Sequence, residues 1–415
     1  MLTTGSLYRK DNNMAHSITH EIRSHTSLRG LAALMVVLVH FQSFVHPTIH
    51  PDETTFFFYK GYLWVDFFFI LSGFVMSYVY NIEHPVRHTT YDTFQYLIAR
   101  IARIYPLHFV SLIATLSLFT LIASFNWFID EAFCCVFDDP LRTFESLVGN
   151  LFLVHAWGMF ESYTWNYPSW SLSVEFFCYL IFATLLTMES ENRKLTLLAL
   201  SCTALFFYCL HFATNSDIDT HFELSAIRAV SAFTIGILLF FWRKVVSDFS
   251  DRHITVIQIA ICSALLFSLH IGITDILSII LMAILVLVTW EDRGYLCSCL
   301  NIRPLHAIGL LSFSIYMWHY LFKFIAQQAD WENYLGLPLQ SSAAGSLLFI
   351  LFLISLVVPV AIWSYHSVEI PARKWVGSKL NHWLDSLSPL PSTNRIMFDS
   401  DRFKKKIYLS RLFVK

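Results

Sequence analysis

The 415-residue chain is 56% hydrophobic and 17% aromatic but only 14% charged, with a formal net charge of −2. Soluble domains carry about 25% charged residues, so a soluble fold lacks the interior to bury this much apolar side chain. Lipid is the solvent that fits. The charge balance offers nothing to a nucleic acid, and the eight cysteines show neither a disulfide framework nor zinc-ligand spacing. The composition predicts an all-α integral membrane protein without a metal site.

Segment 1–26 is polar and lacks a signal-peptide pattern, with Met14 an alternative start. Stretches long and apolar enough to cross a bilayer then fall at 28–45, 62–80, 104–125, 168–188, 195–213, 224–242, 254–271, 274–290, 305–327 and 346–367. They predict a bundle of about ten transmembrane helices within one membrane domain, 27–373. A weaker stretch at 144–160 includes Glu145, Asn150, His155 and Gly158. Lysines and arginines gather in alternate connections (Arg87/Arg100/Arg103, Arg193/Lys194, Arg243/Lys244/Arg252, Arg293/Arg303, Arg373/Lys374). The positive-inside rule puts these connections and both termini in the cytoplasm of a cell (inner) membrane protein. Counting 144–160 as a crossing breaks the alternation, so it reads as re-entrant or interfacial. Residues 374–415 form a basic cytoplasmic tail, suited to an anionic inner leaflet or to solvent.

Ionisable groups inside such spans are costly and rarely kept without a task. Arg29 and His40 stand eleven residues apart on the first span, hence on nearly one face and separated by roughly 16 Å of axial rise. The competing reading is a snorkelling arginine and a hydrogen-bonded core histidine. Given the orientation, His40, Asp66, Glu175, Arg228 and His319 fall in the outer halves of five spans. Isolated charges there cost several kcal/mol, about 2.5–3.5 each, so they should converge on one another or on a wet cavity. Arg29, Arg100, Arg103 and Arg373 form a second, cytoplasmic set. Arg100 and Arg103, spaced i, i+3 before Tyr105-Pro106, suit bidentate phosphate capture, or serve only as positive-inside residues.

Inner arginines and a base three turns farther in suggest a nucleotide-like carrier with a long reactive arm. Coenzyme A has that form. A histidine that deprotonates a hydroxyl is the usual acyl-transfer base, and Asp66 could fix its tautomer and stabilise the imidazolium. The alternative is that Asp66 staples its helix to Arg228.

The motifs then identify a family. Ser27-Leu28-Arg29-Gly30-Leu31-Ala32-Ala33 through His40, and Gly61-Tyr62-Leu63-Trp64-Val65-Asp66-Phe67-Phe68, resemble the first two helices of the acyltransferase 3 family. Arg100-Ile101-Ala102-Arg103-Ile104-Tyr105-Pro106 is similar to its basic motif, and Pro168-Ser169-Trp170-Ser171-Leu172-Ser173-Val174-Glu175 to its Trp-Ser-Leu-Ser-x-Glu element. Arg228 with Gly236, Ser312-Phe313-Ser314-Ile315-Tyr316-Met317-Trp318-His319, and Tyr365 through Glu369, Pro371 and Arg373 follow in order.

The resemblance implies ten core helices and transfer of an acyl group, commonly acetyl, from cytoplasmic acyl-CoA. The acceptor would be a hydroxyl of a surface glycan, lipid-linked sugar or other small molecule. No cofactor would be bound permanently, acyl-CoA being the donor substrate. The expected catalytic residues are His40 as general base, Asp66 and Glu175, with Arg29, Arg100 and Arg103 on the donor. Trp170, Ser171, Arg228, Ser314, Tyr316, His319, Glu369 and Arg373 are further candidates. Trp64 stands where the family often has a second glycine, which bears on the acceptor cavity. A transporter of an acyl donor or anion is the alternative, distinguished by whether its activity survives loss of the His40 imidazole.

Overall fold

The computed structural model describes residues 21–45, 55–84, 87–129, 141–160, 165–214, 217–219, 224–327 and 342–387. The expected tails up to residue 20 and after 387 lie outside these residues. Apolar runs with satisfied internal backbone hydrogen bonds are what a bilayer permits, and the described residues form helices, turns and no strand. The helices are α1 (Arg23–Phe41), α2 (Leu63–Tyr80), α3 (Thr90–Ile129), α4 (Phe144–Leu151), α5 (Ser169–Thr187) and α6 (Ser190–Ala213). They continue with α7 (Ser225–Ser247), α8 (Asp251–Ile271), α9 (Asp275–Thr289), α10 (Tyr295–Leu300), α11 (Arg303–Gln327), α12 (Ala343–Ser364) and α13 (Ile370–Leu387).

Among the described residues nine helical stretches are long and apolar enough to cross a membrane. The 15-residue α9 is a shorter apolar helix. The molecule is an all-α integral membrane bundle, and each of the ten expected spans coincides with a helix. The region 144–160 holds only α4, whose eight residues rise about 12 Å, followed by turns. Helix α3 begins at Thr90 and carries Arg100, Arg103 and Pro106 within it, because the amphipathic approach to the span continues the same helix. The expected break at residue 373 falls inside α13, which is anchored to α3 by the Tyr91 hydroxyl donating to Asp385 at 2.5 Å.

Two helix crossings position everything else. In a membrane, helices associate through close packing of small residues rather than through a hydrophobic drive. Gly30 of α1 meets Gly309 of α11 so closely that a Cβ on Gly30 would lie 2.6 Å from the Gly309 nitrogen. Gly73 of α2 and Gly236 of α7 do the same: an added Cβ would lie 2.1 Å from the carbonyl oxygen of Phe233 or of Ile70. Outward faces stay apolar, as on α6, where Leu198, Leu205 and Phe206 are exposed, the pattern of a lipid-facing helix.

Candidate active site

The α1–α11 crossing sets two polar regions. At one end Arg29 donates from Nε to Ser312 Oγ at 3.1 Å and from Nη2 to the Gly309 carbonyl at 3.4 Å. At the other, the ring centroids of His40 and His319 lie 5.1 Å apart. Contacts at both ends in the same order make the helices parallel, so the two regions are separated by the rise from Arg29 to His40, roughly 16 Å.

The arginine region gathers residues from six helices, α1, α2, α3, α5, α11 and α13. Arg103 and Arg373 lie with Arg29 within electrostatic reach of Glu369. Glu369 is buried and accepts from Ser314 Oγ at 3.1 Å. It ends a π-helical turn, Tyr365–Glu369, that joins α12 to α13; such turns recur at functional sites. Arg100 sits among three tyrosines, its guanidinium 5.9 Å from the ring centroid of Tyr80, 6.0 Å from Tyr96 and 5.9 Å from Tyr179. Its Nη1 donates to Met76 Sδ at 3.3 Å, and its Nε is buried without a partner. Glu175 accepts from Ser72 Oγ at 3.1 Å and from the Tyr179 hydroxyl at 2.5 Å, and it acts electrostatically on Arg29 and Arg100. Four guanidinium groups thus lie near Glu369 and Glu175, with Glu21 also within electrostatic reach of Arg29, a local excess of positive charge that attracts anions.

The histidine region is aromatic. Tyr167 and Tyr320 stack at 4.6 Å between centroids and 14° between planes, and the His40 ring meets both edge-on at 5.9 and 5.6 Å. Lys323 projects over the Tyr320 ring at 5.3 Å. Between the two regions, the Ser171 and Tyr316 hydroxyls share a hydrogen bond of 2.8 Å, and Phe68 packs on the Tyr316 ring.

Two sequence expectations are corrected. Asp66 does not serve His40. Arg228 holds it, donating from Nε to both carboxylate oxygens at 3.0 and 3.2 Å and from Nη2 at 2.6 Å. The same arginine donates to Asp219 at 2.9 Å and to the Tyr62 carbonyl at 3.1 Å, and lies over the Tyr62 and Trp170 rings. The helix register explains the choice. Helices α1 and α2 run antiparallel, Gly61 against Val39 and Phe74 against His25. Asp66 is then level with residues 33–34 of α1, about six residues or ~9 Å short of His40. Glu175 is the second correction: bonded to Ser72, it lies level with Arg29 rather than with His40. The five groups expected in one slab separate into an Asp66–Arg228 pair, a His40–His319 pair, and Glu175 among the arginines.

Sequence reasoning also missed several neighbours. Tyr179 lies i+4 from Glu175, a spacing that brings helical side chains together. Tyr320 follows His319 directly, and Asp219 sits in the connection between α6 and α7. Tyr80, Tyr96 and Tyr167 carried no signal separable from ordinary apolar packing.

Comparison with known proteins agrees with this architecture. The model of the family described as "Acyltransferase domain" matches residues 25–366. A protein of Komagataeibacter xylinus described as "Putative membrane-bound transacylase BcsY" is 23% identical over 314 residues, covering 72% of this chain and 72% of its own length. No solved structure matches the chain.

Proposed function

The chain belongs to this acyltransferase domain family and is a multi-pass membrane acyltransferase; from that premise we propose that it moves an acyl group from cytoplasmic acyl-CoA to a hydroxyl. The group is acetyl, and the acceptor is a surface glycan, lipid-linked sugar or other small molecule. The protein resides in the cell membrane with both termini cytoplasmic, the orientation that places the basic connections inside.

One observation carries the reading. Excess arginine charge lies at the Arg29 end of the parallel α1–α11 pair, and an imidazole pair lies roughly 16 Å farther along it. Arg29, Arg100, Arg103 and Arg373 suit the phosphates of coenzyme A through charge-assisted hydrogen bonds. The pantetheine arm then carries the thioester between the helices, past Tyr316 and Ser171, toward His40.

His40 acts as general base. It takes the proton of the acceptor hydroxyl as the oxygen attacks the thioester carbonyl carbon. The carbon–sulfur bond breaks, and the departing coenzyme A thiolate recovers the proton from the His40 imidazolium. Ester and thiol are the products, and no acyl-enzyme is needed. A positioned base of this kind contributes about 10²–10⁴-fold.

Mass spectra of surface glycans and glycolipids from cells with and without the protein test the proposal. Wild-type cells should show an acyl increment that is absent without the protein and absent with His40→Ala, at equal amounts of folded protein. A full increment in the His40→Ala cells overturns the role of the base. Identical spectra with and without the protein overturn the class of acceptor.

A further inference from the structure

The expected carboxylate partner of His40 is elsewhere, which leaves the question of what orients its ring. His319 is completely buried on α11, and its Nδ1 lies 2.6 Å from the Tyr316 carbonyl oxygen. A carbonyl carries no proton, so the hydrogen of that bond belongs to Nδ1. In the neutral ring the other nitrogen, Nε2, is therefore a bare acceptor. It is also buried and has no hydrogen-bond partner among the described residues. Buried polar atoms are rarely left so, and of the rings packed on His319 that of His40 has the nearest centroid, at 5.1 Å, against 5.6 Å for Tyr316 and 6.3 Å for Tyr320. The remaining neighbours are phenols and a cation: Tyr167, Tyr316, Tyr320 and Lys323. Among the described residues no carboxylate acts on either imidazole.

We propose that His319 is the positioning residue of His40, accepting the N–H of one His40 nitrogen so that the other faces the acceptor hydroxyl as a lone pair. This rests on the reading of His40 as base. The half-buried His40 ring turns to make the bond when an acceptor enters. When the acceptor proton arrives on the free His40 nitrogen, the imidazolium keeps its other N–H on His319 Nε2, and the new proton passes to the coenzyme A thiolate as the carbon–sulfur bond breaks. A neutral imidazole here does what a carboxylate does in other acyl-transfer sites. It adds no negative charge to a poorly solvated region, where an unpaired carboxylate is costly.

The test is a double-mutant cycle on purified protein, measuring acyl transfer per folded molecule. His319→Phe keeps a ring of similar size but no acceptor, and should lower kcat about 10²-fold, the lower end of a positioned base's contribution, with KM for the donor unchanged. His319→Gln should recover most of the rate, since its amide N–H can serve the Tyr316 carbonyl while its oxygen accepts from His40. In a His40→Ala background His319→Phe should cost nothing further. Full kcat in His319→Phe, or equal loss in His319→Phe and His319→Gln, overturns the proposal. Full activity in His40→Ala alone instead overturns the reading it rests on, so the two failures are distinct.

Discussion

Arg228 and Asp66 form a buried, two-pronged ion pair, closed by three hydrogen bonds of 2.6–3.2 Å with side chains 1% and 0% exposed. The pair joins α2 to α7 about six residues, or ~9 Å, short of the level of His40, and this changes what its loss should do. Removing one member of a buried pair leaves an uncompensated charge and costs about 3–5 kcal/mol.

Asp66→Asn should therefore lower the yield of folded protein while leaving the rate per folded molecule within a few-fold of wild type. Replacing both residues by apolar ones, Asp66→Leu with Arg228→Met, should restore much of the yield, because the stranded charge is gone. Detergent-extracted protein measured by size-exclusion chromatography, with activity normalised to the folded peak, checks both outcomes. A large drop in specific activity of Asp66→Asn at normal yield would return Asp66 to the chemistry.

The glycine crossings make a second prediction. Gly236→Ala places a methyl group 2.1 Å from the Ile70 carbonyl oxygen, a backbone atom that cannot turn aside as a side chain would. Overpacking of this kind typically costs about 1–3 kcal/mol, and here it pushes α2 from α7 and strains the Asp66–Arg228 pair. Gly377→Ala, whose Cβ would meet Ala102 at an ordinary 3.9 Å, should be neutral. Thermal denaturation in detergent should rank Gly236→Ala well below Gly377→Ala; equal midpoints would refute the crossing as a constraint.

Donor affinity gives the third. Arg29→Ala, and Arg100→Ala with Arg103→Ala, each remove charge-assisted contacts worth about 1.5–3 kcal/mol apiece. Each loss should weaken acyl-CoA binding by about one to two decades, and raising the salt concentration should weaken the wild type too. Equilibrium binding to purified variants measures this directly. Unchanged affinity in both would confine the arginines to topology.

The fourth concerns acid stability at the connection between α2 and α3. The Arg243 guanidinium, donating to both Glu83 carboxylate oxygens at 2.9 and 2.8 Å, holds the Glu83 carboxyl below its ordinary value. A group whose folded value is depressed stabilises fully above its unfolded value, and that stability is lost as pH falls through the folded one. Glu83→Gln should thus cost about 1 kcal/mol near neutrality and nothing at pH well below the carboxylate range. Denaturation midpoints of wild type and Glu83→Gln should converge on acidification; a gap that persists in acid would show that the contact is packing, not charge.

Membrane class, the ten spans and the short segment near 144–160 were legible in the chain itself, because hydropathy is a local property that a bilayer reads one segment at a time. The types of residue that bear chemistry were legible for the same reason: a histidine or arginine inside an apolar run is conspicuous wherever the helix packs. Partnership was not. Asp66 and Arg228 lie 162 positions apart, and their meeting follows from the Gly73–Gly236 crossing of α2 on α7. A shift of one helical turn, about 5.4 Å, moves a side chain from one polar cluster to another. That register is decided by where two backbones can touch. Only the folded bundle therefore assigned Asp66 to Arg228, Glu175 to the arginines and His319 to His40.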